Sequence, residues 1–153
     1  MLRGGLPAGL KFARRRPITQ EMHEAHVDLL RNFYAALERS DVDSAIGLCD
    51  PDVEVYLNPD VVATLPPKGH KEVASYLRGW FDSWDKYTPR PQEFIEAGEQ
   101  VDVYVQLLAR GKGRRFEIEE EVADVFRFED GKIVQLRLYV DRGVAQRSTG
   151  LVG

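Results

Sequence analysis

Cysteine is almost absent from this chain. Cys49 is the single one in 153 residues, which excludes an internal disulfide and fits a reducing compartment. It follows Ile46 and Leu48 in an apolar run and reads as a small buried residue rather than a catalytic thiol. Long apolar runs are also missing: nothing approaches the roughly 18 residues that a spanning helix needs, so no membrane segment is expected. Basic charge is not in excess. Lys and Arg number 21 against 25 Asp and Glu, for a net charge of −4, which gives no global reason to expect nucleic acid. Metal ligands are sparse. His23 and His26 are neighbours on one helix face, but no cysteine or acid cluster completes a set, and Glu24 and Asp28 beside them read as a solvated face. No metal and no cofactor are expected.

What is present is the composition of a soluble globular domain, 43% apolar and 30% charged. The length suits one domain able to bury a real core. Residues 1–18 differ from the rest, carrying Arg3, Lys11, Arg14, Arg15 and Arg16 without one acid. A secretory signal would follow its basic region with an apolar segment, whereas Pro17 and the polar ITQEMHEAH follow here. The stretch reads as a disordered basic arm or as an over-extended start ahead of Met22, and the folded domain as 19–153. A cytoplasmic location is the expectation.

Along the domain, Thr19 is placed to cap a helix running to about Arg39. Its stripe of Met22, His26, Leu29, Leu30, Phe33 and Leu37 has helical spacing. Ser40-Asp41 breaks it and starts a short second helix, Val42 to Leu48. Asp50-Pro51-Asp52 reads as a turn, and Val53 to Leu57 as a strand. A loop bracketed by Asn58-Pro59 and Pro66-Pro67 carries Val61, Val62 and Leu65, enough apolar surface to fold over something. A third helix is expected from about His70 to Lys86, ended by Tyr87-Thr88-Pro89-Arg90-Pro91. The period then switches from 3.6 to 2 in strands at Gln92–Ala97 and Val101–Leu107.

The stretch Phe116–Asp141 reads as two long strands joined at Asp130-Gly131, a pair that favours a type I′ turn. Alternation puts Val122, Asp124 and Phe126 on one face. The return strand has Leu136 and Leu138 on one face and Gln135, Arg137 and Tyr139, with Ile133, on the outer one. The order α-α-β-α-β-β-β-β argues an α+β fold, with three helices on one face of a curved, mostly antiparallel sheet. Such a cone leaves a place for a small-molecule site between helix and sheet.

Three stretches carry a resemblance: NFYAALERSDVDSAIGLCDPDVEVY, the helix start GHKEVASYL, and VFRFEDGKIVQLRLYVDRGVAQRSTGL. Through them the chain resembles the SnoaL-like branch of the nuclear-transport-factor-2 (NTF2)-like superfamily, which includes polyketide cyclases, ketosteroid isomerases and limonene-type epoxide hydrolases. The resemblance covers about Met22 to Leu151 and implies the cone-shaped fold. It marks the reaction poorly, since one fold hosts many functions.

Residue by residue, the resemblance implies the following. The steroid isomerases' neutral aspartic acid, an oxyanion-hole donor, falls on Asp124. Their donor tyrosine falls on Phe33, which has no hydroxyl, while Tyr34 points about 100° away around the helix. Their general-base aspartate falls on Leu57. The epoxide hydrolases' Tyr-x-Asn is similar to Tyr56-Leu57-Asn58, but their Arg-x-Asp pair falls on Val105 and Leu107 and their final aspartate on Leu138. Neither mechanism carries over whole. The family's habit of pairing through the outer sheet face implies a homodimer.

Asp124 is the central candidate. A carboxyl among apolar neighbours is costly unless hydrogen-bonded or protonated, and an apolar cavity would raise its pKa toward that of a useful acid or base. A purely structural hydrogen bond explains it equally well. Tyr56 and Asn58 are candidates to hold a substrate oxygen; as structural residues they are a strand aromatic and a turn residue before Pro59. Phe33, Leu57, Tyr76, Trp80, Trp84, Val103, Val105, Val122, Phe126, Leu136 and Leu138 are the expected lining of a pocket for a small hydrophobic molecule. Two functions remain open: acid–base chemistry on a hydrophobic carbonyl compound in an isomerase, cyclase, dehydratase or hydrolase manner, and a non-catalytic ligand-binding or assembly module.

Overall fold

A computed structural model of the chain describes residues 19–57 and 66–140. The basic arm, the apolar loop and the segment after the last strand lie outside these residues. Thr19 caps the first helix as its sequence position implies, its side-chain oxygen accepting from Met22 N at 3.1 Å and satisfying one of the helix's orphan N–H groups. Helix α1 spans Gln20–Glu38. Ser40, with φ of 58°, turns the chain, and Asp41 caps the short helix α2 (Val42–Ile46) by accepting from Ser44 N. Strand β1 (Cys49–Leu57), helix α3 (Gly69–Asp82) and strands β2 (Trp84–Ala97), β3 (Gln100–Gly111), β4 (Ile118–Glu129) and β5 (Lys132–Val140) follow.

The five strands form one sheet in the order β1-β5-β4-β3-β2. The β2–β3, β3–β4 and β4–β5 pairs are antiparallel, and β1 runs parallel to β5. Asp130 and Gly131 both have positive φ, 51° and 77°, as a type I′ turn requires. The helices pack on one face. Leu30, Phe33, Leu37, Ala45, Val73 and Leu77 meet Val53, Val55, Val103, Phe126, Leu136 and Leu138 in one core. The architecture is α+β, as the order of periodicities implies.

Two boundaries and the facing of one residue differ from expectation, each for a local reason. Helix α3 ends at Asp82, and Trp84–Pro91 is strand rather than helix and terminator. β2 is an edge strand. Backbone N–H groups alternate in direction along a strand, so Pro89 and Pro91 both turn their missing donors to the same side, which an open edge tolerates. Strand β1 begins at Cys49, ahead of the expected turn. That turn is present as a break in the ladder: Asp52 N donates to Asp50 Oδ1 at 2.8 Å, and pairing jumps from Cys49↔Ile133 to Glu54↔Gln135. Finally, Ile133 belongs to the core, not the outer face. An extra residue in β5 between Phe128↔Ile133 and Arg127↔Gln135 flips it inward, where it is fully buried.

Candidate functional site

Asp124 lies at the middle of β4, on the face that the helices cover. Val103 is opposite it on β3, and Val122 and Phe126 flank it on its own strand. Its carboxyl is 2% exposed. Tyr34 of α1 donates its phenolic O–H to Asp124 Oδ2 at 2.5 Å, and both side chains are buried. The phenol is fixed by rings: Tyr34 and Phe126 meet edge to face at 5.9 Å, and Phe33 and Phe126 at 5.5 Å. Beside Asp124 the ladder between β4 and β5 is irregular, passing from Val125↔Arg137 to Ala123↔Val140. That bulge bends the sheet where the carboxyl sits.

Tyr34, not Phe33, carries a hydroxyl to Asp124. Phe33 and Tyr34 are about 100° apart around the helix, yet both are buried. The buried residues of α1 run from Ala36 round to Tyr34, an arc of roughly 160° at that turn angle, because the curved sheet wraps the helix. A stripe of apolar spacing alone gives no sign of an arc that wide.

The other candidates divide. Tyr56 is on the opposite face of the sheet from Asp124. Val53 and Val55 point into the core, so Tyr56 points away from it, its hydroxyl 3.4 Å from Glu54 Oε1. The structure does not bring it to Asp124. Asn58 lies outside the described residues, as does the side chain of Leu57. Phe33, Val103, Val105, Val122, Phe126, Leu136 and Leu138 share the core around Asp124. Tyr76 is 39% exposed on α3, away from them. Trp80 and Trp84 meet at 5.4 Å near Phe81 and Tyr87, where α3 passes into β2. A separate surface cleft of about 440 Å³, between α2 and α3, is lined by residues such as Asp43, His70, Lys71 and Arg78. None of these was a sequence candidate.

Two charged groups were missed. Asp102, within the alternation of β3, is fully buried on the outer face beside Tyr104 and Val125. Gln100 Nε2 donates to its Oδ1 at 3.3 Å, while Oδ2 has no hydrogen-bond partner among the described residues. Burial pushes its pKa up to about 6 against the Gln100 hydrogen bond. The second is Glu96, which no spacing in the sequence ties to the histidines of α1. His26 is buried, and Glu96 of β2 binds both imidazoles. Among the described residues, no group of three His, Cys, Asp or Glu is arranged to hold a metal ion. Cys49 is buried, and burial with the nearby Asp50 charge pushes its thiol up to about 12, which keeps it unreactive.

Three helices packed on one face of a five-stranded, mostly antiparallel sheet give the α+β architecture of NTF2-like folds. The more particular assignment comes from sequence: a family model for the SnoaL-like domain matches residues 30–136, and the chain belongs to that family. Its fold is shared by an NTF2-like protein of unknown function from Burkholderia pseudomallei K96243. The two are 24% identical, with a TM-score of 0.66 over 80% of this chain and 95% of that one. A protein named TerC, crystallised with polyporic acid, is 17% identical, with a TM-score of 0.64 over 82% of this chain and 98% of that one. A protein of ketosteroid isomerase-like fold from Catenulispora acidiphila DSM 44928, in complex with trimethylamine, is 12% identical, with a TM-score of 0.65 over 80% and 92%. At these identities the likeness is one of fold. No curated protein matches the chain.

Proposed function

We propose that the protein performs acid–base chemistry on a small hydrophobic carbonyl compound, in the manner of an isomerase, cyclase or dehydratase, with Asp124 and Tyr34 as its reacting pair. The observation that carries this reading is the 2.5 Å hydrogen bond between a phenol and a carboxyl that are both buried. Hydrogen bonds are electrostatically stronger in such a low-dielectric setting. In the proposed step the Asp124 carboxylate takes a proton from a carbon beside the carbonyl and returns it to the product, while Tyr34 turns its one O–H from Asp124 to the developing enolate oxygen. Tyr56, on the other face, has no part in it. Proton transfer of this kind uses no cofactor. The apolar neighbours Phe33, Val103 and Phe126 fit a hydrophobic substrate better than a charged one.

A specific observation also favours the non-catalytic reading. Phe33, Val103, Val105, Val122, Phe126, Leu136 and Leu138, expected to line a pocket, are packed into the core around Asp124, so the Tyr34–Asp124 bond could serve only to tie α1 to the sheet. Hydrogen–deuterium exchange of a panel of enolisable ketones, followed by NMR, separates the two, because it needs no knowledge of the product. The enzyme reading expects catalysed exchange beside the carbonyl for at least one apolar ketone. It also expects a loss of about 100-fold or more in Asp124→Asn, the scale of general acid–base contributions. Exchange at the background rate throughout, or an unimpaired Asp124→Asn, favours the structural reading.

A further inference from the structure

The contacts of helix α1 with β4 include two well-separated ones, on either side of the Phe126 ring. Tyr34 binds Asp124. Eight residues earlier, the ring of His26 stacks on Phe128, with centroids 4.0 Å apart and planes 19° from parallel. Eight helical residues rise about 12 Å, and the four strand residues from Asp124 to Phe128 about 13 Å. The two contacts are therefore in step along helix and strand, and one fixes the position of the other.

The His26 end is held by a third element. Glu96 of β2 accepts from both histidines of α1, Oε1 with His23 Nδ1 at 2.6 Å and Oε2 with His26 Nδ1 at 3.0 Å. A carboxylate spanning imidazoles one helical turn apart resists both sliding and rotation of the helix. The geometry points to His23, His26 and Glu96 as positioning residues: a clamp that sets the axial register of α1 over β4 and so holds the Tyr34 hydroxyl on Asp124. The inference rests on the reading of Tyr34 and Asp124 as a working pair. It assigns no new catalytic group and requires no metal.

The test follows the Asp124 carboxyl directly, by its 13C resonance as pH is varied in the full-length protein. Tyr34→Phe removes the bond itself and calibrates the shift in the titration. Glu96→Gln keeps the shape of the side chain but offers one acceptor oxygen where two imidazole N–H groups need one each. Arg31→Ala removes the cation–π contact of α1 with Phe94 of β2, at 4.9 Å, without touching the clamp. The clamp predicts that Glu96→Gln moves the Asp124 titration in the same direction as Tyr34→Phe and by at least half as much, while Arg31→Ala leaves it in place. A wild-type titration in Glu96→Gln, or an equal displacement in Arg31→Ala, overturns it. If Tyr34→Phe moves nothing, the pair is not coupled and the clamp falls with it, a failure distinct from the first. Should Glu96→Gln not fold, His23→Asn, which removes one arm only, is expected to give a smaller shift of the same sign, and no shift there also overturns the clamp.

Discussion

Removing one oxygen atom from Tyr34 takes a donor from a carboxyl that water reaches hardly at all. Hydrogen bonds to such groups contribute about 1–3 kcal/mol, so Tyr34→Phe is expected to lower the unfolding free energy by about that much, read from denaturant titration. Phe33 cannot compensate, since it has no hydroxyl. Asp102 gives a second prediction with a pH sign. Its folded pKa of about 6 stands above the ordinary 3.8, so the folded state holds this proton where the unfolded chain has released it. The contribution is fully present below about pH 4 and is lost as pH rises through 6. At ~1.36 kcal/mol per unit the loss is at most about 3 kcal/mol. Asp102→Asn should therefore flatten the fall in stability between pH 4 and 6 and be more stable than wild type at pH 8. An unchanged slope would sink the assignment.

At the scale of elements, the sequence was most legible where local chemistry decides. Thr19, Asp41 and Asp130-Gly131 each announce a boundary through a cap or a turn, and each boundary is where they put it. Gly131→Ala, forced to keep φ near 77°, should cost about 1 kcal/mol or more in thermal or denaturant stability. Legibility failed where tertiary position decides. Pro89 and Pro91 look like a helix terminator until β2 is known to be an edge strand. Ile133 looks outward until a bulge in β5 is counted. Asp124 was visible because a lone acid breaks an apolar alternation within four residues. Tyr34 was not, because the width of a buried helix arc depends on the sheet that wraps it. Glu96 was not either, since it lies 70 residues from His26 and no spacing rule reaches that far.

For the whole molecule, the sheet order puts β4 in the centre, with β3 and β5 on either side, so Asp124 is buried in the middle of the sheet. The helices are tied to that sheet from two sides, α1 through Glu96 on one edge strand and α3 through its packing against β1 on the other. Family membership accounts for this frame, while the reaction depends on a few side chains that the frame brings together. The proposed reaction requires substrate to touch the Tyr34–Asp124 pair. A crystal structure with a bound apolar ketone shows whether it does. The ketone oxygen is expected within about 3 Å of Tyr34 Oη or Asp124, the reach of a hydrogen bond, with the phenyl ring of Phe126 against the ligand. A ligand seated elsewhere, with Tyr34 still bonded to Asp124 beneath an undisturbed core, would contradict the proposed reaction.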